Sequence, residues 1–280
     1  MADPDEGMAA DGTIRTGAHR HRVPAAFEPV LTDAVAMLGE SGPSLYVYGS
    51  VANGTARRGS SDVDLLSIDL PDPALLGRRL SARYADRCRG VEVAAATASD
   101  FAGNDDESYG FRVFLRHYCV HLAGPDPSSE LPAFPADARA ARGFNGDIGD
   151  HFRRWRLELE SGSMSADLLG IRAARKTLLA LAGLVSVRDH TWTTGRSRAV
   201  RRWGELEPEL ASPLGKLHSW AERTSNPERE EVERALADDG IVSAIVARFD
   251  CLIGLWPDRP GAAQGRLSQN QSRIRRSRTA

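Results

Sequence analysis

Asp62 and Asp64 are the residues in this chain whose types and spacing could do chemistry, together with a Gly49-Ser50 pair that precedes them by a spacer of eleven residues. The apolar run Leu45 to Tyr48 stops at Gly49-Ser50, and the chain resumes as Asp62-Val63-Asp64-Leu65-Leu66 after a stretch rich in Gly, Ser and Arg. Both flanks read as strands and the middle as a loop. Side chains alternate faces along a strand, so Asp62 and Asp64 point one way while Val63 and Leu65 point into a core. Two carboxylates this close repel unless a cation lies between them, and hard oxygen donors suit Mg²⁺ carrying substrate phosphates. A Gly-Ser turn lets backbone N–H groups approach a phosphate, because glycine has no side chain in the way.

Gly49-Ser50, the spacer and Asp62-Val63-Asp64-Leu65 resemble the signature of the DNA polymerase beta-type nucleotidyltransferase superfamily. The wording YGSVANGTARRGSSDVDLL is most similar to the small-molecule branch, the aminoglycoside and streptomycin/spectinomycin adenylyltransferases. The resemblance implies that Gly49, Ser50 and Ser61 meet the nucleotide and that Asp62 and Asp64 bind two Mg²⁺ ions. It also implies a third carboxylate on a neighbouring strand, and Glu92 in Gly90-Val91-Glu92-Val93 is the candidate, as metal ligand and as acceptor of the proton from the attacking hydroxyl. In the adenylyltransferases a Lys ahead of a Trp reaches the phosphates from a helical domain. Counting back from Trp203 lands on Ser197, which leaves Arg175, Arg196 and Arg198 as candidate cations.

The elements that must position these groups follow in order. Residues 1–22 are polar and aperiodic and read as a disordered N-terminus. Phe27, Val30, Leu31, Ala34, Val35 and Leu38 recur at helical spacing, so a helix runs over 25–38. Asp72-Pro73 starts a second helix, with Asp as cap and Pro at its first position, and Val91 to Ala96 reads as a third strand. Residues 97–110 read as an irregular acidic loop. The end of the apolar stretch 111–122, Tyr118 to Leu122, reads as a fourth strand, with His117 and His121 lacking a nameable partner.

Prolines 125, 127, 132 and 135 mark a linker over 125–146. It separates a catalytic domain at 23–124 from a helical domain at 147–256, with helices over 147–160 and 165–187, from Thr191 into Trp203, and over 213–223, 227–237 and 241–256. The fold class is α+β: an N-terminal mixed-sheet nucleotidyltransferase domain followed by an all-α bundle. Residues 257–280 read as a disordered tail.

With 41% hydrophobic and 26% charged residues the composition is that of a globular protein. No apolar run is long enough to cross a bilayer, which points to the cytoplasm and away from membranes. The tail holds six Arg and one Asp and the first 22 residues hold three Arg and four acids, so a net charge of -2 leaves about -6 on the body. A body of that sign argues against nucleic acid and suits a cationic acceptor. Cys88, Cys119 and Cys251 are too scattered for a disulfide framework or a zinc site and read as buried apolar residues. The expected reaction transfers AMP from ATP to a hydroxyl of a small, aminoglycoside-like molecule. The alternatives are a protein acceptor, as in adenylylating antitoxins, and a catalytically silent nucleotide-binding module.

Overall fold

A computed structural model describes residues 3–39 and 42–257; the Arg-rich tail expectation lies outside the described residues. Strands β1 (Gly7–Met8) and β2 (Ile14–Arg15) form a short antiparallel pair, followed by helix α1 (Glu28–Leu38). Then come β3 (Ser44–Tyr48), the single helical turn α2 (Gly49–Ala52), β4 (Val63–Ile68), α3 (Pro73–Arg83) and β5 (Val91–Ala96). The Asp72 carboxylate accepts from the Leu75 N–H at 2.9 Å and so caps α3, as the sequence predicts. Helices α4 (Ala98–Ala102) and α5 (Asp106–Tyr118) lead into β6 (Val120–Ala123). The larger sheet has the order β5-β4-β3-β6; β4 runs antiparallel to β3 and parallel to β5, which makes it a mixed sheet as expected.

One face of this sheet, with Leu45, Val47, Val63, Leu65 and Val91, packs on Val30 and Leu31 of α1 and Leu76 and Leu80 of α3. The opposite face, with Tyr46, Leu66, Ile68 and Ala94, packs on Leu115. Helices therefore cover both faces.

The rest is helical: α6 (Ala138–Asn145), α7 (Ile148–Ser161), α8 (Ala166–Arg188), α9 (Arg196–Leu206), α10 (Pro208–Ala221), α11 (Arg229–Ala235) and α12 (Ile241–Leu252). Helix α8 is buried nearly all round and forms the axis of this half.

Four expectations are corrected. The acidic loop 97–110 is largely helical, because Asp105 accepts from the Ser108 N–H at 2.8 Å and caps α5, whose acids then lie at its N-terminus. Residues 125–146 are not all linker, since they end in α6. Gly110 and Gly143 let α5 and α6 cross at backbone contact: a Cβ on Gly110 would lie 2.3 Å from the Gly143 carbonyl carbon. Residues 3–22, expected to be disordered, are ordered. Glu6 accepts from Thr194 N at 2.6 Å, Thr194 Oγ1 at 2.7 Å, Thr193 Oγ1 at 3.2 Å and Tyr118 Oη at 2.8 Å, and Ile14 enters the core of the helical half beside Tyr109 and Val113. A mostly polar segment is thus held by the Glu6 carboxylate, by buried Ile14 and by backbone bonds from Ile14 N to the Phe134 carbonyl and from Ala136 N to the Gly12 carbonyl. Cys88 and Cys119 are buried as expected, but Cys251 is exposed.

Candidate active site

Register builds the carboxylate edge. Asp64 stands opposite Tyr48 on β3 and opposite Glu92 on β5, so the two acids are lateral neighbours on adjacent strands. They share the sheet face of Leu66 and Ala94, which is the face turned to α5. Asp62 has the same parity, one residue ahead of β4.

Gly49 holds the Gly-Ser turn against this edge. Its φ of 69° lies in the left-handed region, and a Cβ there would come 2.7 Å from Asp64 Oδ2. No other residue type meets both conditions without displacing the carboxylate. The Thr55 and Ala56 N–H groups close the following loop on the Ser50 carbonyl, at 2.9 and 3.0 Å. Ser61 is spent on that loop, its hydroxyl accepting from the Arg57 N–H at 2.9 Å, and it lies away from the cleft.

A cleft of about 510 Å³ joins the two halves, with Gly49, Ser50 and Asn53 on one wall and Thr194, Arg196 and Ser197 on the other. Of the three candidate cations, Arg196 lines this cleft and pairs with Glu222 at 3.1 Å. Arg175 is half-buried and donates through Nε to the Ala221 carbonyl at 3.0 Å, and Arg198 is exposed; neither lines the cleft. Ser197, the position counted back from Trp203, does line it, with its hydroxyl 2.8 Å from His218 Nε2. An aromatic series, Tyr48, Phe114, Tyr118, Phe144 and Trp192, runs from the strand before the Gly-Ser turn to the loop before Arg196, each ring centroid 5.2 to 6.0 Å from the next. Trp192 Nε1 donates to Tyr118 Oη at 2.6 Å, and burial raises the Tyr118 phenol well above its usual range. The site thus rests on a stiff apolar spine.

Sequence reasoning missed Arg89. Its Nε donates to Asp62 Oδ1 at 2.9 Å and its Nη2 donates to Asp62 Oδ2, a fork on one carboxylate. Among the described residues no three His, Cys, Asp or Glu side chains converge as a ready ligand set. Asp62, Asp64 and Glu92 nonetheless fit Mg²⁺ in donor chemistry, being hard oxygens along one sheet edge. Asp3 was missed as well. It lines the cleft from the N-terminal segment, its Oδ2 accepting from the Gly17 N–H at 2.6 Å, and nothing in the sequence near residue 3 signals that position.

His117, unassigned from sequence, is structural: its Nε2 accepts from the Phe134 N–H at 2.9 Å, and burial lowers it to about 4. A bond that needs an unprotonated nitrogen agrees with that direction.

Residues 32–100, which hold the Gly-Ser turn and all three carboxylates, match the family model described as a nucleotidyltransferase domain. That stretch is matched as a nucleotidyltransferase domain. Its class of chemistry is therefore enzymatic nucleotidyl transfer. No curated protein matches the chain. Among solved structures it is similar to the spectinomycin adenyltransferase AAD(9) from Enterococcus faecialis, determined with ATP and spectinomycin. That likeness has 12% identity and a TM-score of 0.51 and covers 80% of this chain and 98% of the other. At such identity it is a likeness of fold alone. No helix among the described residues is long and apolar enough to cross a membrane.

Proposed function

We propose that this chain is a Mg²⁺-dependent adenylyltransferase that moves AMP from ATP onto a hydroxyl of a small, aminoglycoside-like molecule in the cytoplasm, where it would serve antibiotic resistance. The observation that carries the reading is the cleft that sets Gly49 and Ser50, packed on Asp64, across from Arg196 of the helical half. The Gly49-Ser50 turn offers backbone donors to the triphosphate, and Arg196 offers it positive charge. Asp62, Asp64 and Glu92 would hold two Mg²⁺ ions, which when bound neutralise the triphosphate and stabilise departing pyrophosphate. The acceptor oxygen forms a bond to the α-phosphorus as the bond from that phosphorus to the bridging oxygen breaks. Glu92 takes the hydroxyl proton.

A neighbour determined with ATP and spectinomycin supports this nucleotide and this acceptor class. The half-buried walls also suit a small acceptor better than a folded protein, since they form a cavity of about 510 Å³, within the range of small-molecule pockets. Incubation with labelled ATP and Mg²⁺ beside spectinomycin or streptomycin tests the reading. Pyrophosphate release that depends on such an acceptor is expected. Labelling of protein instead, or no release with any hydroxyl acceptor, would overturn it.

A further inference from the structure

The fork between Arg89 and Asp62 joins two groups of unequal freedom. The Asp62 side chain is 12% exposed and the Arg89 side chain 64%. The Arg89 backbone is pinned beside the aspartate strand: its N–H donates to the Ser61 carbonyl at 3.1 Å, and the Gly90 carbonyl accepts from the Val63 N–H at 2.9 Å. The ladder between β4 and β5 thus continues one step beyond the strands and fixes where the guanidinium starts. Its far end can leave for water without repacking.

We propose that Arg89 is a built-in competitor of the divalent cation: guanidinium and metal alternate on the same two oxygens of Asp62, and the exchange sets how much divalent cation the site requires. This rests on Asp62 being a metal ligand, as in the function proposed above. A guanidinium that claims both oxygens occupies two of the roughly four lone-pair directions of Asp62 and already offsets its charge, so a metal meets a poorer donor while the fork is closed. Three acids at one edge would repel one another without a counter-charge, so Arg89 stabilises the edge while it opposes metal entry. Arg89 is a positioning residue, acting through Asp62.

The test is direct titration of the full chain with Mn²⁺, without nucleotide, following free Mn²⁺ by electron paramagnetic resonance. Arg89→Ala should bind Mn²⁺ about fivefold more tightly than wild type, the equivalent of about 1 kcal/mol and the upper end for an exposed ion pair. Its melting temperature should fall below wild type in EDTA and return to the wild-type value at saturating Mg²⁺. Arg89→Lys keeps the charge, loses the fork and should show the same changes at smaller size, which covers the case in which the alanine variant does not fold. Unchanged or weaker Mn²⁺ binding in both variants would overturn the competition. Asp62→Asn separates the two readings: if it leaves wild-type Mn²⁺ affinity intact, Asp62 is no ligand, and the metal assignment fails rather than the role of Arg89 alone.

Discussion

Replacing Gly49 by alanine, beside the same change at Gly59, isolates what the Gly-Ser turn does for the carboxylates. Both glycines have left-handed backbones, at φ 69° and 74°, so each replacement carries about 1–2 kcal/mol of backbone strain. They differ in surroundings. An alanine Cβ at Gly59 meets nothing within 4 Å, whereas at Gly49 it lies 2.7 Å from Asp64 Oδ2, inside the closest approach that real Cβ atoms make. The atom struck is the end of a short side chain, so it rotates away at little further cost in stability. For 280 residues the unfolding entropy is about 0.6 kcal/mol per kelvin, so each variant should melt about 2–4 °C below wild type. Function should separate them. A displacement of about 1 Å in a reacting group costs about 10² in rate, so Gly49→Ala should lose about that much turnover while Gly59→Ala keeps most of it. Scanning calorimetry and pyrophosphate release on both proteins make the comparison. Equal turnover in the two, or a melting temperature for Gly49→Ala more than about 8 °C below that of Gly59→Ala, would refute the argument that the contact governs Asp64 rather than the fold.

Glu92→Gln keeps the shape of the side chain and removes proton acceptance, so Mg²⁺-ATP binding by calorimetry should persist while turnover falls by about 10² or more. Glu6→Ala leaves the Thr194 N–H and the Tyr118 hydroxyl without their carboxylate partner, and should cost about 2–3 kcal/mol in a urea titration; deletion of residues 1–22 should cost more. Because folded His117 sits at about 4 against 6.5 unfolded, the unfolded chain binds the extra proton between those values. Stability from this group is therefore complete above pH 6.5 and lost as pH falls towards 4, by about 2 kcal/mol after allowance for partial exposure, and His117→Gln should flatten that limb of a stability profile.

What was legible in the sequence was what short-range physics decides. Alternation set Asp62 and Asp64 on one parity, and the Asp72-Pro73 pair began α3 where capping chemistry predicts. The strand with Glu92 was bounded correctly because Gly90 and the following apolar residues mark it locally. The failures needed long-range partners. Helix α5 was hidden because its buried face mixes Ser108, Gly110 and Tyr109 with Val113 and Leu115, and Gly110 looks like a breaker until Gly143 packs on it. On α8 the sequence offers Arg175 as a candidate cation. The helix is buried on most sides, and the deeply buried cation is its neighbour Lys176, which meets Asp147 Oδ1 at 2.7 Å. No local signal pairs Arg89 with Asp62, since their meeting depends on two strands lying parallel across a helical crossover.

The clasp made by Glu6 also orders events in time. Its carboxylate closes on the Thr194 N–H across 188 positions of chain. A ribosome adds about 5–20 residues per second, so roughly 10–40 s separate the synthesis of the two partners. Until Thr193 and Thr194 emerge, Glu6 lacks the partners that tie its segment to the second wall of the cleft. Glu6 therefore completes its contacts long after its own synthesis, and the cleft has both its walls only once Thr194 to Ser197 have been made.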